Sequence, residues 1–151
     1  SKRSAVMLMI SFEQYERALE RYREMLIHWK KTEEDAQGAT IVREAAREAL
    51  IQRFEYLTES AWKTCKRLLV ETEGYDKEVG PKSLFRLAGS LGMLDAETWI
   101  TFWDARLGTS HDYSEEKSAV LLSHADDLEK QAALLLDAMR FKAASSPGSR
   151  E

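Results

Sequence analysis

The sequence predicts an all-α protein of a single domain, and three observations carry that prediction. Apolar and charged residues alternate at helical spacing rather than at the every-second-residue spacing of strands. Two prolines and seven glycines in 151 residues leave long stretches without a helix breaker. A composition of 44% hydrophobic and 32% charged residues supplies one buried core and a solvated outside, as expected of a globular, soluble chain.

About five helices follow in order. Ser11 is the candidate N-cap of the first, with Gln14 three residues on as in a capping box. Phe12, Tyr15, Leu19, Tyr22, Leu26 and Trp29 then step by three and four, an apolar seam that runs to about Lys31. Glu13, Glu16, Arg17, Glu20, Arg21 and Arg23 fall off the seam and read as a solvated face. Residues 32–40 are polar, contain Gly38 and form a loop. The second helix is expected over 41–70. Its seam is Ile51, Phe54, Thr58, Ala61, Cys65 and Leu68, broadened by Leu50, Leu57 and Leu69. Two long helices joined by a short connection pack as an antiparallel hairpin.

Residues 71–80 carry Gly74 and Gly80 and form a loop; Pro81 then suits the first position of a short third helix. Leu84, Leu87, Ala88 and Leu91 are its apolar face, and Gly92 ends it. Asp95 caps the fourth helix, with Thr98 at the boxed position and Trp99, Phe102 and Trp103 on one side. That helix is expected to stop at Arg106 or Leu107, broken by Gly108. The fifth begins near Ser114 or Glu115, with Asp112 and Ser114 as rival caps. Its main stripe is Leu121, Leu122, Ala125, Leu128, Ala132, Leu135 and Met139. Val120, Leu134 and Leu136 lie outside the stripe, so the helix is expected to be covered on more than one side. The folded unit is thus expected over 11–142, with flexible ends at 1–10 and 143–151.

Several function classes are disfavoured. A net charge of −4 argues against a general nucleic-acid binder, whose affinity comes from excess Lys and Arg, and leaves room for a local basic site. The single cysteine, Cys65, excludes a disulfide framework and a cysteine-based zinc site within one chain, and reads as a small core residue. No run approaches the ~18 apolar residues of a membrane span, and residues 5–10 lack a full signal segment, so a cytoplasmic protein is expected. His28 and His124 stand alone in helical patterns, so no metal site is indicated. There is no phosphate-binding glycine loop and no serine elbow. A Gly-Ser motif followed by paired aspartates is also missing, so this chain does not hold the metals of nucleotidyl transfer, and no cofactor is indicated.

One stretch, residues 105–113, gathers Arg106, His111 and Tyr113 between two helical segments. A helix starting there offers unpaired N–H groups and a partial positive charge, which favour phosphate. Two readings fit: a site for a phosphate-bearing ligand, or a charged corner in which Arg106 pairs with an acid and His111 only caps. Glu55, Glu59 and Lys63 fall on one face of the second helix at spacings of four. Glu59 to Lys63 is a favourable pair, whereas Glu55 to Glu59 is a like-charge pair that makes sense beside a cation, for which Arg106 is the candidate. A solvated face is the alternative. Trp62 beside this face reads as core rather than as a stacking platform.

Three segments resemble a known family. Residues 51–63, from Ile51-Gln52-Arg53-Phe54-Glu55 to Trp62-Lys63, are similar to a signature of HEPN-domain proteins, specifically the substrate-binding subunits that accompany minimal nucleotidyltransferases. Residues 80–88 with Gly92, Glu97 and Trp99 fit the same family, and Arg106 to Tyr113 matches its R-x4-H motif extended by x-Y. The resemblance covers about residues 12–140. It implies an up-and-down, four-helix-bundle-like fold that forms a homodimer or an assembly of dimers and pairs two Arg/His sites. It also implies a separate minimal nucleotidyltransferase partner. In some such pairs the HEPN chain is a metal-independent ribonuclease toxin, silenced when the partner adds AMP to the motif tyrosine, here Tyr113. In the subgroup this sequence resembles, the chain is a nucleotide- or substrate-binding subunit; a helical interaction module with a relict site is a further alternative. Family members commonly carry a polar residue, usually Asn, after the motif arginine. Leu107 stands there instead, which weighs against ribonuclease activity more than against binding.

Overall fold

The computed structural model describes residues 10–109 and 114–146. Among them six helices and no strand occur: α1 (Glu13–Glu34), α2 (Thr40–Glu73), α3 (Pro81–Ser90), α4 (Ala96–Thr109), α5 (Glu115–Ser123) and α6 (Ala125–Ala144). The all-α prediction holds. The expected fifth helix is two, α5 and α6, meeting at His124, which caps the end of one and the start of the other. Ser123 turns its hydroxyl back onto the Val120 carbonyl, and neither Ser nor His is a strong helix former, so the helix gives way there. Helix α6 runs two residues past 142, the expected end of the folded unit.

Helix α2 is the central element. It packs against all five other helices, most extensively against α1. The seams explain this. Leu50, Ile51, Phe54, Leu57, Ala61, Cys65, Leu68 and Leu69 of α2 are all fully buried, so the helix is apolar around most of its girth. Contacts between side chains set the directions. Ser11, Gln14 and Arg21 of the first segment meet Arg67, Tyr56 and Arg53 in reverse order, so α1 and α2 are antiparallel. Glu55 and Glu59 meet Thr109 and Arg106, so α4 also opposes α2. Helix α6 opposes α1, with Arg23 reaching Glu129 and Arg140 reaching Glu16. The course of α1, α2, α4 and α6 is therefore up, down, up and down.

Two tyrosines of the α1 seam fasten α6. The Tyr15 hydroxyl donates to the Ala132 carbonyl and the Tyr22 hydroxyl to the Ala125 carbonyl, each at 2.7 Å, which satisfies the polar tip of a buried ring. The caps follow the sequence less closely than the seams. No capping box forms at α1: Phe12 is the N-cap, the Ser11 hydroxyl accepts from the Glu13 N–H, and Gln14 donates to Tyr56 instead. Helix α3 does end as expected. Gly92, at φ 75°, lets the Met93 N–H reach the Ala88 carbonyl and its own N–H reach Gly89, and only glycine adopts that backbone without strain. Asp95 accepts the Thr98 hydroxyl at the start of α4. No described helix is long and apolar enough to cross a membrane.

Burial shifts the core acids strongly. Desolvation pushes the Cys65 thiol from 9.0 up to about 12 and raises the Tyr15 and Tyr22 phenols as well. Each group is neutral in the fold, so its contribution to stability is complete below the pKa of the unfolded chain and is lost as pH rises towards the folded value. The expected result is a urea midpoint that is flat from pH 7 to about 9 and then falls steadily. Cys65→Ala should delay the onset to about pH 10, where the tyrosines begin to titrate. An unchanged midpoint up to pH 11 would contradict the burial of these three groups.

Candidate functional site

The site forms where the last turn of α4 lies across the middle of α2. Helix α4 does not stop at Arg106 or Leu107 as expected; it continues through Gly108 to Thr109. Gly108 is compatible with helical backbone, and a Cβ there would meet nothing within 4 Å, so the residue that reads as a breaker does not act as one. The extra turn has a consequence. Thr109 stands three residues after Arg106 on the same helix face, fully buried, with its hydroxyl 2.9 Å from a Glu55 carboxylate oxygen and 3.1 Å from the Arg106 carbonyl.

Arg106 lies between an acid and a ring. Its Nη2 is 3.0 Å from Glu59 Oε1, and its guanidinium carbon stands 4.4 Å from the centre of the Trp103 ring. Lys63 Nζ is 3.6 Å from the other oxygen of Glu59. Both carboxylates expected to need a cation have partners: Glu59 meets Arg106 and Lys63, and Glu55 meets Thr109. The side chains of Arg106 and Glu59 are 19% and 36% exposed, so the pair is sheltered yet reachable from solvent. A carboxylate occupies one edge of the guanidinium, and a phosphate is the other anion that fits the same planar fork.

The wall behind Arg106 is aromatic. Trp62 meets Trp103 edge to face at 5.7 Å, and Lys66 Nζ stands 4.6 Å from the Trp62 ring centre. Trp62 is half-buried, so it is neither pure core nor an open platform. Among the described residues, the Trp62 Nε1 and Arg106 Nε atoms are buried without a hydrogen-bond partner, which leaves two donors beside the site. Sequence reasoning missed Thr109, because Leu107-Gly108-Thr109 reads as a turn. Had the helix been extended by one turn, the spacing from Arg106 would have revealed it.

His111 and Tyr113, like the candidate cap Asp112, lie outside the described residues. The rival cap Ser114 is the N-cap of α5, its side chain accepting from the Lys117 N–H at 3.4 Å. Arg106, Glu55, Glu59 and Lys63 are brought together as expected. His28 is exposed on α1, and the His124 ring packs edge-on against Phe102 at 6.1 Å; neither belongs to the site. Among the described residues no group of His, Cys, Asp and Glu is arranged to hold a metal ion.

Known proteins are similar to this chain in sequence and in fold. Residues 10–140 match the family described as nucleotidyltransferase substrate binding protein like. A protein of Haemophilus influenzae named a probable ribonuclease, HepT, is 30% identical over 105 residues, which span 67% of this chain and 72% of that protein. A solved structure from Haemophilus influenzae, described as the fold of a substrate binding domain of a nucleotidyltransferase, superposes with a TM-score of 0.76. It is 24% identical and covers 86% of this chain and 99% of its own, so it speaks for the fold. A crystal structure of a Thermus thermophilus protein, 28% identical, superposes with a TM-score of 0.61 over 79% of this chain and 98% of its own. The chain belongs to the nucleotidyltransferase substrate binding protein like family, the HEPN group whose motifs its sequence carries.

Proposed function

We propose that this chain is the nucleotide- or substrate-binding subunit of a bipartite system, working in the cytoplasm as a homodimer or assembly of dimers beside a separate minimal nucleotidyltransferase. The observation that carries the reading is the setting of Arg106: half-buried, over the Trp103 ring, and held by a carboxylate that an incoming phosphate can replace. In this reading Arg106 grips the phosphate. His111 and the first N–H groups of α5 add donors, and Lys63 adds positive charge. Glu55 anchors Thr109, and Glu59 holds Arg106 in place until the ligand arrives. The exposed apolar side chains of Leu107 and Val120, close to the α4–α5 connection, support a subunit contact there.

A second reading is favoured by the name of the Haemophilus influenzae relative, a probable ribonuclease. Arg106 would then stabilise the charge that develops on a scissile RNA phosphate, and His111 would take the proton of the attacking 2′-hydroxyl. Tyr113 links the two readings, because AMP on its oxygen would set a phosphate beside Arg106 and close the site to RNA. The test is to incubate the chain with a minimal nucleotidyltransferase that co-purifies with it, ATP and magnesium, and to compare wild type with Tyr113→Phe by mass spectrometry. The expected result is a gain of AMP on the wild type alone. Equal modification of both chains, or none while the partner is demonstrably active, would remove Tyr113 from the mechanism.

A further inference from the structure

A groove of about 790 Å³ runs between α1 and α2, away from Arg106. Its size is that of a small-molecule site. Both of its walls carry guanidinium groups: Arg17 and Arg21 from α1 and Arg53 from α2. Arg17 and Arg21 are one turn apart on the same face, a like-charge spacing that is unfavourable by itself. Arg53 adds to it, since its Nη1 donates to the Arg21 backbone carbonyl at 2.7 Å and so brings a third positive charge to the same place. Among the described residues Glu13 is the one acid in the lining, paired with Arg17 at 2.8 Å; their side chains are 76% and 62% exposed, so the pair exchanges readily. In a chain of net charge −4, this groove holds three arginines against one acid.

The remaining lining is suited to a flat polar group. Tyr56 is 48% exposed, and its hydroxyl accepts from Gln14 Nε2 at 3.1 Å, so the ring is held at the edge of the groove. Gln14 and Gln52 supply amides on either side. We propose that the α1–α2 groove is a second nucleotide site, in which Arg17, Arg21 and Arg53 bind the phosphates of a nucleoside phosphate and Tyr56 stacks on its base. The chemistry is that of arginine forks on phosphate and an aromatic ring on a base. Tyr56 follows Glu55 on α2, so this site and the Arg106 site lie on adjoining faces of one helix.

The test uses the full chain carrying Arg106→Ala, so that ligand at the other site is not counted. Calorimetric titration with ATP is expected to show residual binding, which Arg21→Glu weakens about tenfold or more. Arg17→Glu should repeat the loss. Tyr56→Ala should weaken ATP while leaving tripolyphosphate unchanged. These three side chains are exposed, so circular dichroism should confirm an intact fold. A short oligouridylate that displaces ATP identifies the ligand as one unit of a strand, and one that does not identifies it as the free nucleotide; either result upholds the site. Absence of residual ATP binding, or an affinity indifferent to both arginine reversals, would overturn it. Equal losses for ATP and tripolyphosphate on Tyr56→Ala would overturn the stacking role.

Discussion

Phe54→Ala is expected to lower the stability of this protein by about 3–5 kcal/mol, the cost of removing a ring from a closed core. Phe54 is fully buried in the middle of α2. Its ring meets Tyr22 of α1 edge to face at 6.2 Å and Phe102 of α4 at 6.1 Å, so it joins three helices at one point. Neither neighbour can collapse into the gap easily. The Tyr22 hydroxyl is fixed to the Ala125 carbonyl, and Phe102 is held at 5.3 Å by Trp99. A domain of this size has only about 5–15 kcal/mol to lose, so the variant should unfold at a much lower urea concentration or fail to fold at physiological temperature. Phe54→Leu keeps most of the volume and should cost about 1–1.5 kcal/mol. A loss below about 1 kcal/mol for the alanine variant would mean that Phe54 does not join the helices as described.

Arg106→Ala is expected to have the largest effect on ligand binding and a small one on folding. Losing charged hydrogen bonds to a phosphate costs about 1.5–3 kcal/mol, which weakens a nucleotide bound there about ten- to a hundredfold. The pair with Glu59 is partly exposed and the contact with Trp103 is a single cation over a ring, so their loss should change stability by about 1–2 kcal/mol at most. Arg106→Lys should recover little, because an ammonium lacks the planar fork that engages two oxygens and lies flat on an indole. Glu59→Gln should act in the opposite direction and tighten phosphate binding, since it removes the anion that competes for Arg106. Titration of the three variants with a nucleotide checks the set. If Arg106→Ala binds as tightly as wild type, the site lies elsewhere.

The sequence by itself determined the fold class and most of the core. Spacings of three and four placed Tyr15, Leu19, Tyr22, Ile51, Phe54, Ala61, Cys65, Leu121, Leu128 and Leu135 inside, and all are buried. That signal is strong because a helix that must bury one side has to repeat its apolar residues at the pitch of the helix. Helix ends were less legible. Gly108, Gln14 and Ser123-His124 each have a local preference worth about 1 kcal/mol or less, and neighbouring helices override preferences of that size. Tertiary structure alone decided that α4 runs on to Thr109, that this sets Thr109 on Glu55, and that Glu59 holds Arg106. It alone decided that Trp62 stands half-buried against Trp103 behind the guanidinium. It also turned arginines scattered along two sequence segments into one groove. The physical reason is the same in each case. A periodic pattern records which face of a helix is buried, whereas the meeting of two particular side chains depends on the register and crossing of helices far apart in the chain.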